Sequence, residues 1–247
     1  KVTPMKTFAD SHVGNVRTQN EDSFLEYHAN SFTVIAVADG MGGHARGEDA
    51  SAAAIEAVRK YLANTKFADG PREAGVQEAL RLANKAVMSL GSDFDSRWNP
   101  PGTTLTLAVF RKDKTVVVGH MGDSRLYRVR KGGKPKGSTK SLSGLVLQQL
   151  TEDHGEGSYL SSYCGMGDKA RYDVESHDLE PEDMFLVCSD GLSDPDIVPS
   201  NEILEVFEHN LEFGVSPAQA IVQDLIQRAL KHGARDNVTA VVLTGVN

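Results

Sequence analysis

The chain has 247 residues, 40% of them apolar and 24% charged, enough apolar sequence to bury a sizeable core and too much for a disordered tail. Its 26 Lys and Arg stand against 34 Asp and Glu, and the formal charge of −8 argues against general affinity for nucleic acid or anionic membrane. Two cysteines, Cys164 and Cys188, are too few for a disulfide framework or a four-Cys zinc site. They read as unpaired thiols in a reduced, cytoplasmic setting. No apolar run approaches the ~18 residues of a membrane span, and Lys1-Val2-Thr3-Pro4 lacks the apolar centre of a signal peptide, so no membrane insertion is expected.

The sequence shows no internal repeat and no long linker, which reads as one continuous domain over 1–247. Thr33 to Ala38 is an apolar, β-branched run that stops at Asp39-Gly40, the pattern of a buried strand entering a turn. Ala50, Ala54, Ala57, Val58 and Leu62 then recur at helical spacing over 47–64, and Val76, Leu80, Ala83, Val87 and Leu90 repeat it over 72–90. A strand-rich middle follows: 104–110, 115–119, 126–129 and 145–150, with turns at Lys112-Asp113-Lys114 and Gly132-Gly133. A further strand over 184–188 ends at Ser189-Asp190-Gly191. Two helices are expected over 200–208 and 216–232, the second opened by Ser216-Pro217, and a strand over 238–243 closes the chain. Strands in runs and helices in pairs imply an α+β fold with antiparallel sheet. Gly40-Met41-Gly42-Gly43 carries neither a dinucleotide fingerprint nor a phosphate-loop Gly-Lys-Ser/Thr.

Acidic turns recur at strand boundaries: Asn20-Glu21-Asp22, Ala38-Asp39-Gly40, Gly122-Asp123-Ser124-Arg125, Ser189-Asp190-Gly191 and Arg235-Asp236-Asn237. Any one of them is an ordinary turn. As a set, converging at one sheet end, they would crowd carboxylates that must protonate or bind cations. Oxygen donors without His or Cys spacing favour Mg²⁺ or Mn²⁺ over zinc.

These segments, with Val16-Arg17-Thr18-Gln19, Gly102-Thr103-Thr104, Leu150-Thr151-Glu152-Asp153-His154 and Asn237-Val238-Thr239, resemble the ordered motifs of the metal-dependent PPM (type 2C) Ser/Thr protein phosphatases. The likeness runs from Gly14 to Val242, in the style of the bacterial members. It implies a four-layer α-β-β-α sandwich, two central antiparallel sheets flanked by helix pairs, with a two-ion Mn²⁺ or Mg²⁺ centre at one end. Carried over residue by residue, Asp39 would bridge the ions, the Gly40 carbonyl would serve one, and Asp190 and Asp236 would complete the shell of the other. Glu21 and Asp22 would hold waters around the ions. Asp123, with Asp190, would serve a third ion; its bland alternative is an ion pair with Arg125. Arg17 would grip two oxygens of the substrate phosphate, which a lysine's point charge cannot do. Its alternative is a surface pair with Glu21 or Asp22. The implied reaction is hydrolysis of phosphoserine or phosphothreonine by direct attack of a metal-bridging water or hydroxide, opposing a Ser/Thr kinase in signalling, with a phosphorylated protein as partner and a monomeric enzyme.

The chain departs from the family pattern at Met41, where eukaryotic relatives carry a His proposed to protonate the leaving group; His44 is the nearest alternative. The flap between His154 and Pro181 is short and glycine-rich, which bears on substrate selection. Arg128 to Lys140 is a run of basic residues without an acid, either a solvated hairpin turn or a docking surface for an acidic partner. A second functional reading keeps the fold as a catalytically silent module that binds a phosphoprotein or kinase, and a third changes the substrate to a small phosphate ester.

Overall fold

A computed structural model describes residues 5–41, 46–91, 100–133, 137–141, 143–156, 159–213 and 217–246. Its strands are β1 (Lys6–His12), β2 (Asp22–His28), β3 (Phe32–Asp39), β4 (Leu105–Arg111), β5 (Thr115–Met121), β6 (Arg125–Lys131), β7 (Thr139–Lys140), β8 (Leu145–Gln149), β9 (Gly155–Glu156), β10 (Tyr159–Leu160), β11 (Asp173–Asp178), β12 (Met184–Cys188) and β13 (Val238–Thr244). Its helices are α1 (Gly47–Asn64), α2 (Glu73–Leu90), α3 (Asp190–Ser193), α4 (Ser200–Phe213) and α5 (Pro217–Lys231).

The apolar runs of β3, β4, β12 and β13 bury both faces, and that fixes the layering. Along β3, Val34, Ala36 and Ala38 pack under α1 and α2, while Ile35 and Val37 point to the opposite sheet. Along β12, Met184, Leu186 and Cys188 pack under α4 and α5, while Phe185 and Val187 point inward. Three apolar clusters therefore fill the three interfaces of four layers. Phe110 and Phe185 meet edge-on across the middle interface, ring centroids 4.8 Å apart.

All pairings within the two main sheets are antiparallel, in the orders β11-β5-β4-β3-β2 and β1-β13-β12-β6-β8-β7. This is the expected α+β sandwich. The helix over 47–64 stands as expected, while α4 continues to Phe213, beyond the expected end at 208. Six strands had no signal in the sequence: the two-residue β7, β9 and β10, and the longer β1, β2 and β11. Each is an edge strand, covered by a neighbour on one side only, and β11 buries none of its six residues. Polar sequences such as Asp-Val-Glu-Ser-His-Asp suit that position and hide the strand from an apolar pattern.

Candidate metal centre

Antiparallel pairing of β2 with β3 places Asp22 directly opposite Asp39. Asp190 opens α3 at the end of β12, and Asp236 lies two residues before β13, so the second sheet brings its acids to the same end. Arg17, Asp39, Asp123, Asp190 and Asp236 line one cleft of about 720 Å³.

Hydroxyls and amides hold this end in place. The Asp39 N–H donates to Thr104 Oγ1 at 2.9 Å, and the Asp39 carbonyl accepts from Thr104 N–H at 2.9 Å and Thr103 Oγ1 at 2.8 Å. Thr104 Oγ1 also meets Ser124 Oγ at 2.7 Å, tying the residue after Asp123 to the turn of Asp39. Asn237 joins the two sheets: its Oδ1 accepts from Glu21 N–H, and its Nδ2 donates to the carbonyls of Val13 and Gln19, each at 2.9 Å. Gly40 donates its N–H to the Glu21 carbonyl at 3.1 Å, and a Cβ there would run into the Gly47 carbonyl, so the turn requires glycine.

The electrostatics are those of crowded, dry carboxylates. Burial, followed by the charges of Asp22, Asp190, Asp236 and Asp123, holds the Asp39 carboxyl well above the ordinary range. Asp22 is pushed up to about 6 by burial, against hydrogen bonds from Thr239 Oγ1 at 2.6 Å and Ser189 Oγ at 2.8 Å. Asp123 rises to about 7, by burial and then by Asp190. Asp190 rises through burial and Asp236. Glu21 rises through burial and Glu48. One oxygen each of Asp22 and Asp190 is buried with no hydrogen-bond partner. Unpartnered anionic oxygens among like charges fit hard cations and fit little else. Among the described residues, no group of three or more acidic, His or Cys side chains is closed to the spacing of a finished ion shell.

In both of the alternatives raised by the sequence, the arginine pairs with a different acid from the one expected. Arg17 pairs with Asp236, Nη2 to Oδ2 at 2.7 Å, and neither Glu21 nor Asp22 is its partner. That hydrogen bond is the main cause of its raised pKa. Arg125 takes Asp153 in a forked pair at 2.7 and 3.0 Å, leaving Asp123 to the cleft. Met41 lines the cleft, as do Tyr159 and Tyr163 of the flap, while His44 lies outside the described residues. Cys188 is strand core and Cys164 a buried loop residue, both unpaired. Thr103, Thr104, Ser189, Asn237 and Thr239 carried no assigned role in the sequence; their one signal was that they lie within the segments that resemble the family motifs.

The acids thus gather at one end of a four-layer antiparallel sandwich, and comparison with known proteins gives the class. The sequence profile of the protein phosphatase 2C family matches residues 10–237, and the chain belongs to that family. It is 32% identical over 241 residues to the serine/threonine protein phosphatase PstP of Mycobacterium tuberculosis, covering 95% of this chain and 44% of that protein, so it spans less than half of that relative. It is 28% identical to the serine/threonine phosphatase stp of Listeria monocytogenes, over 93% of this chain and 92% of that one. The crystal structure of the PstP catalytic domain in complex with two manganese ions superposes with a TM-score of 0.75 and 31% identity, over 98% of this chain and 99% of that one.

Proposed function

We propose that this chain removes phosphate from phosphoserine and phosphothreonine in proteins, using bound Mn²⁺ or Mg²⁺ and opposing a Ser/Thr kinase. The single observation that carries the reading is the set of carboxylates at the cleft that Arg17 borders, Asp39, Asp123, Asp190 and Asp236, with Asp22 opposite Asp39, two of the five having a buried, unpartnered oxygen. The bound ions supply Lewis-acid activation of a water and neutralise phosphoryl charge. Asp39, the Gly40 carbonyl, Asp190 and Asp236 hold two ions, and Asp123 with Asp190 offers a seat for a third. Asp22 and Glu21 hold and orient waters beside them. Arg17 keeps one nitrogen on Asp236 and turns its remaining donors to two oxygens of the substrate phosphate, which orients phosphorus for in-line attack. Attack by water is direct, and both cysteines are too deeply buried to serve as nucleophiles. No side chain among the described residues is assigned as the acid for the leaving alkoxide.

The test is phosphate release from a phosphothreonine peptide by chelator-treated protein titrated with Mn²⁺ and then Mg²⁺, beside an Asp236→Asn control. Metal-dependent turnover lost in the control supports the reading. No turnover with either ion, in folded protein shown to bind the ion, moves the assignment to a silent phosphoprotein-binding module.

A further inference from the structure

The far end of β6 from the cleft carries a second concavity of about 210 Å³, lined by Arg128, Arg130, Lys131, Gln148 and Glu180 among others. Six residue steps from Arg125 to Lys131 put it ~20 Å from the cleft. In a chain of net charge −8 this is the local exception, because the sequence from Arg128 to Lys140 holds no acid.

The cations in it are not equally matched. Arg130 is fully engaged: Asp183 takes its fork at 2.6 and 2.5 Å, Glu180 a third nitrogen, and the Asp178 carbonyl a further bond at 3.2 Å. Arg128 has a neutral partner only, Gln148 Oε1 at 2.6 Å. Among the described residues no carboxylate pairs with Arg128 or with the exposed Lys131. Burial and then the neighbouring Arg130 push the Arg128 pKa down, and the field of Arg128 in turn helps push down the pKa of His177 on β11, after burial. His177 Nε2 is itself buried without a hydrogen-bond partner. The carboxylates nearest Arg128, Asp183 and Glu180, act on it through space but are both bonded to Arg130, so this half-buried guanidinium has no carboxylate of its own, which is costly unless a further anion completes it. Glu180, 59% exposed on its side chain, reaches Arg130 from the solvent side and shows how an incoming carboxylate would sit.

We propose that this concavity is a docking site for a carboxylate-rich segment of a protein partner, whose acidic side chains pair with Arg128 and Lys131. A nucleic acid would need a broader basic face and stacking aromatics, and this lining offers neither. An anionic membrane would need a wide basic surface, and a concavity of this size instead admits a pair of acidic side chains.

The probe is a fluorescein-labelled hexaglutamate peptide, its anisotropy followed against the whole chain, with hexaglutamine as the blank. Saturable binding is expected, weakening with added salt and weakening about tenfold in Arg128→Gln/Lys131→Gln. Lys131→Glu alone, at an exposed position, should act in the same direction without disturbing the core. Lys60→Gln on exposed α1 should change nothing, and overlapping urea curves would exclude unfolding. Equal affinity in wild type and variants, absence of saturable binding, or capture of phosphatidylserine vesicles but not the peptide through these residues would overturn the proposal. No turnover is read, so failure of the phosphatase reading leaves the result interpretable.

Discussion

Replacing Asp22 by Asn separates the crowding of charge from the shape of the site. Burial, as the main cause, pushes the Asp22 carboxyl up to about 6 from an ordinary 3.8 when no cation is bound. At 1.36 kcal/mol per unit, the elevation corresponds to about 3 kcal/mol. The sign follows from linkage: a carboxyl raised in the folded state contributes stability below pH 3.8, and the contribution is lost as pH climbs through about 6. Asn keeps the shape, accepts from Ser189 and Thr239 as Asp22 does, and offers an N–H to the facing Asp39. Asp22→Asn should therefore outlast wild type in chelator by about 3 kcal/mol at pH 8, roughly 6–12 °C in Tm for a chain of this size, and by well under about 1 kcal/mol at pH 4. Urea unfolding at the two pH values measures the gap. A gap that is flat with pH, or of opposite sign, would refute the account of Asp22 as a strained anion.

Saturating Mn²⁺ should stabilise wild type by about 2.7 kcal/mol at a hundredfold excess over Kd, more at pH 8 than at pH 5, with calorimetry as the check. Asn84, buried on α2, accepts from Gly165 N–H at 2.8 Å and donates to the Gly167 carbonyl at 2.9 Å and Tyr172 Oη at 3.0 Å. Asn84→Ala should cost about 2–4 kcal/mol in denaturant and raise KM for phosphopeptides more than it lowers kcat, because it releases the flap. A Cβ on Gly191 would fall on the Asn237 carbonyl, so Gly191→Ala should destabilise by about 3 kcal/mol or more, seen as a lower urea midpoint at constant slope. Cys188 is pushed up to about 12 by burial and Cys164 is raised likewise, so neither should react with a disulfide reagent at pH 8 until urea unfolds the chain; prompt labelling would contradict their placement.

How far the sequence could be read follows from burial on one face or two. Strands covered on both sides, such as β3 and β12, announce themselves as unbroken apolar runs, and α1 and α2 show one apolar stripe each. Edge strands need satisfy only one neighbour, so β2 buries Leu25 alone and its sequence reads as loop. At the site, the acidic turns were visible one by one, but spacing along a chain says nothing about which strand ends lie together. That Arg17 would reach across 219 residues to Asp236, or Asn237 to Glu21, depends on β1 and β13 being neighbours in the sheet. The hydroxyls of Thr104 and Thr239 were invisible for a related reason: their role is to accept or donate to atoms brought close only by folding.

The acids of the cleft come from both sheets, Asp22 and Asp39 from one, Asp190 and Asp236 from the other. Strand β13, whose start follows Asp236, comes after every other described strand in the sequence and yet lies inside its sheet, between β1 and β12. Both halves of the cluster come together only once the segment through Thr244 has joined the sheet. Loss of β13 alone would therefore leave Asp22 and Asp39 in place while removing the strand that anchors Asp236 beside them. The cluster thus reports on whether the two sheets have docked, because neither sheet carries all of its acids.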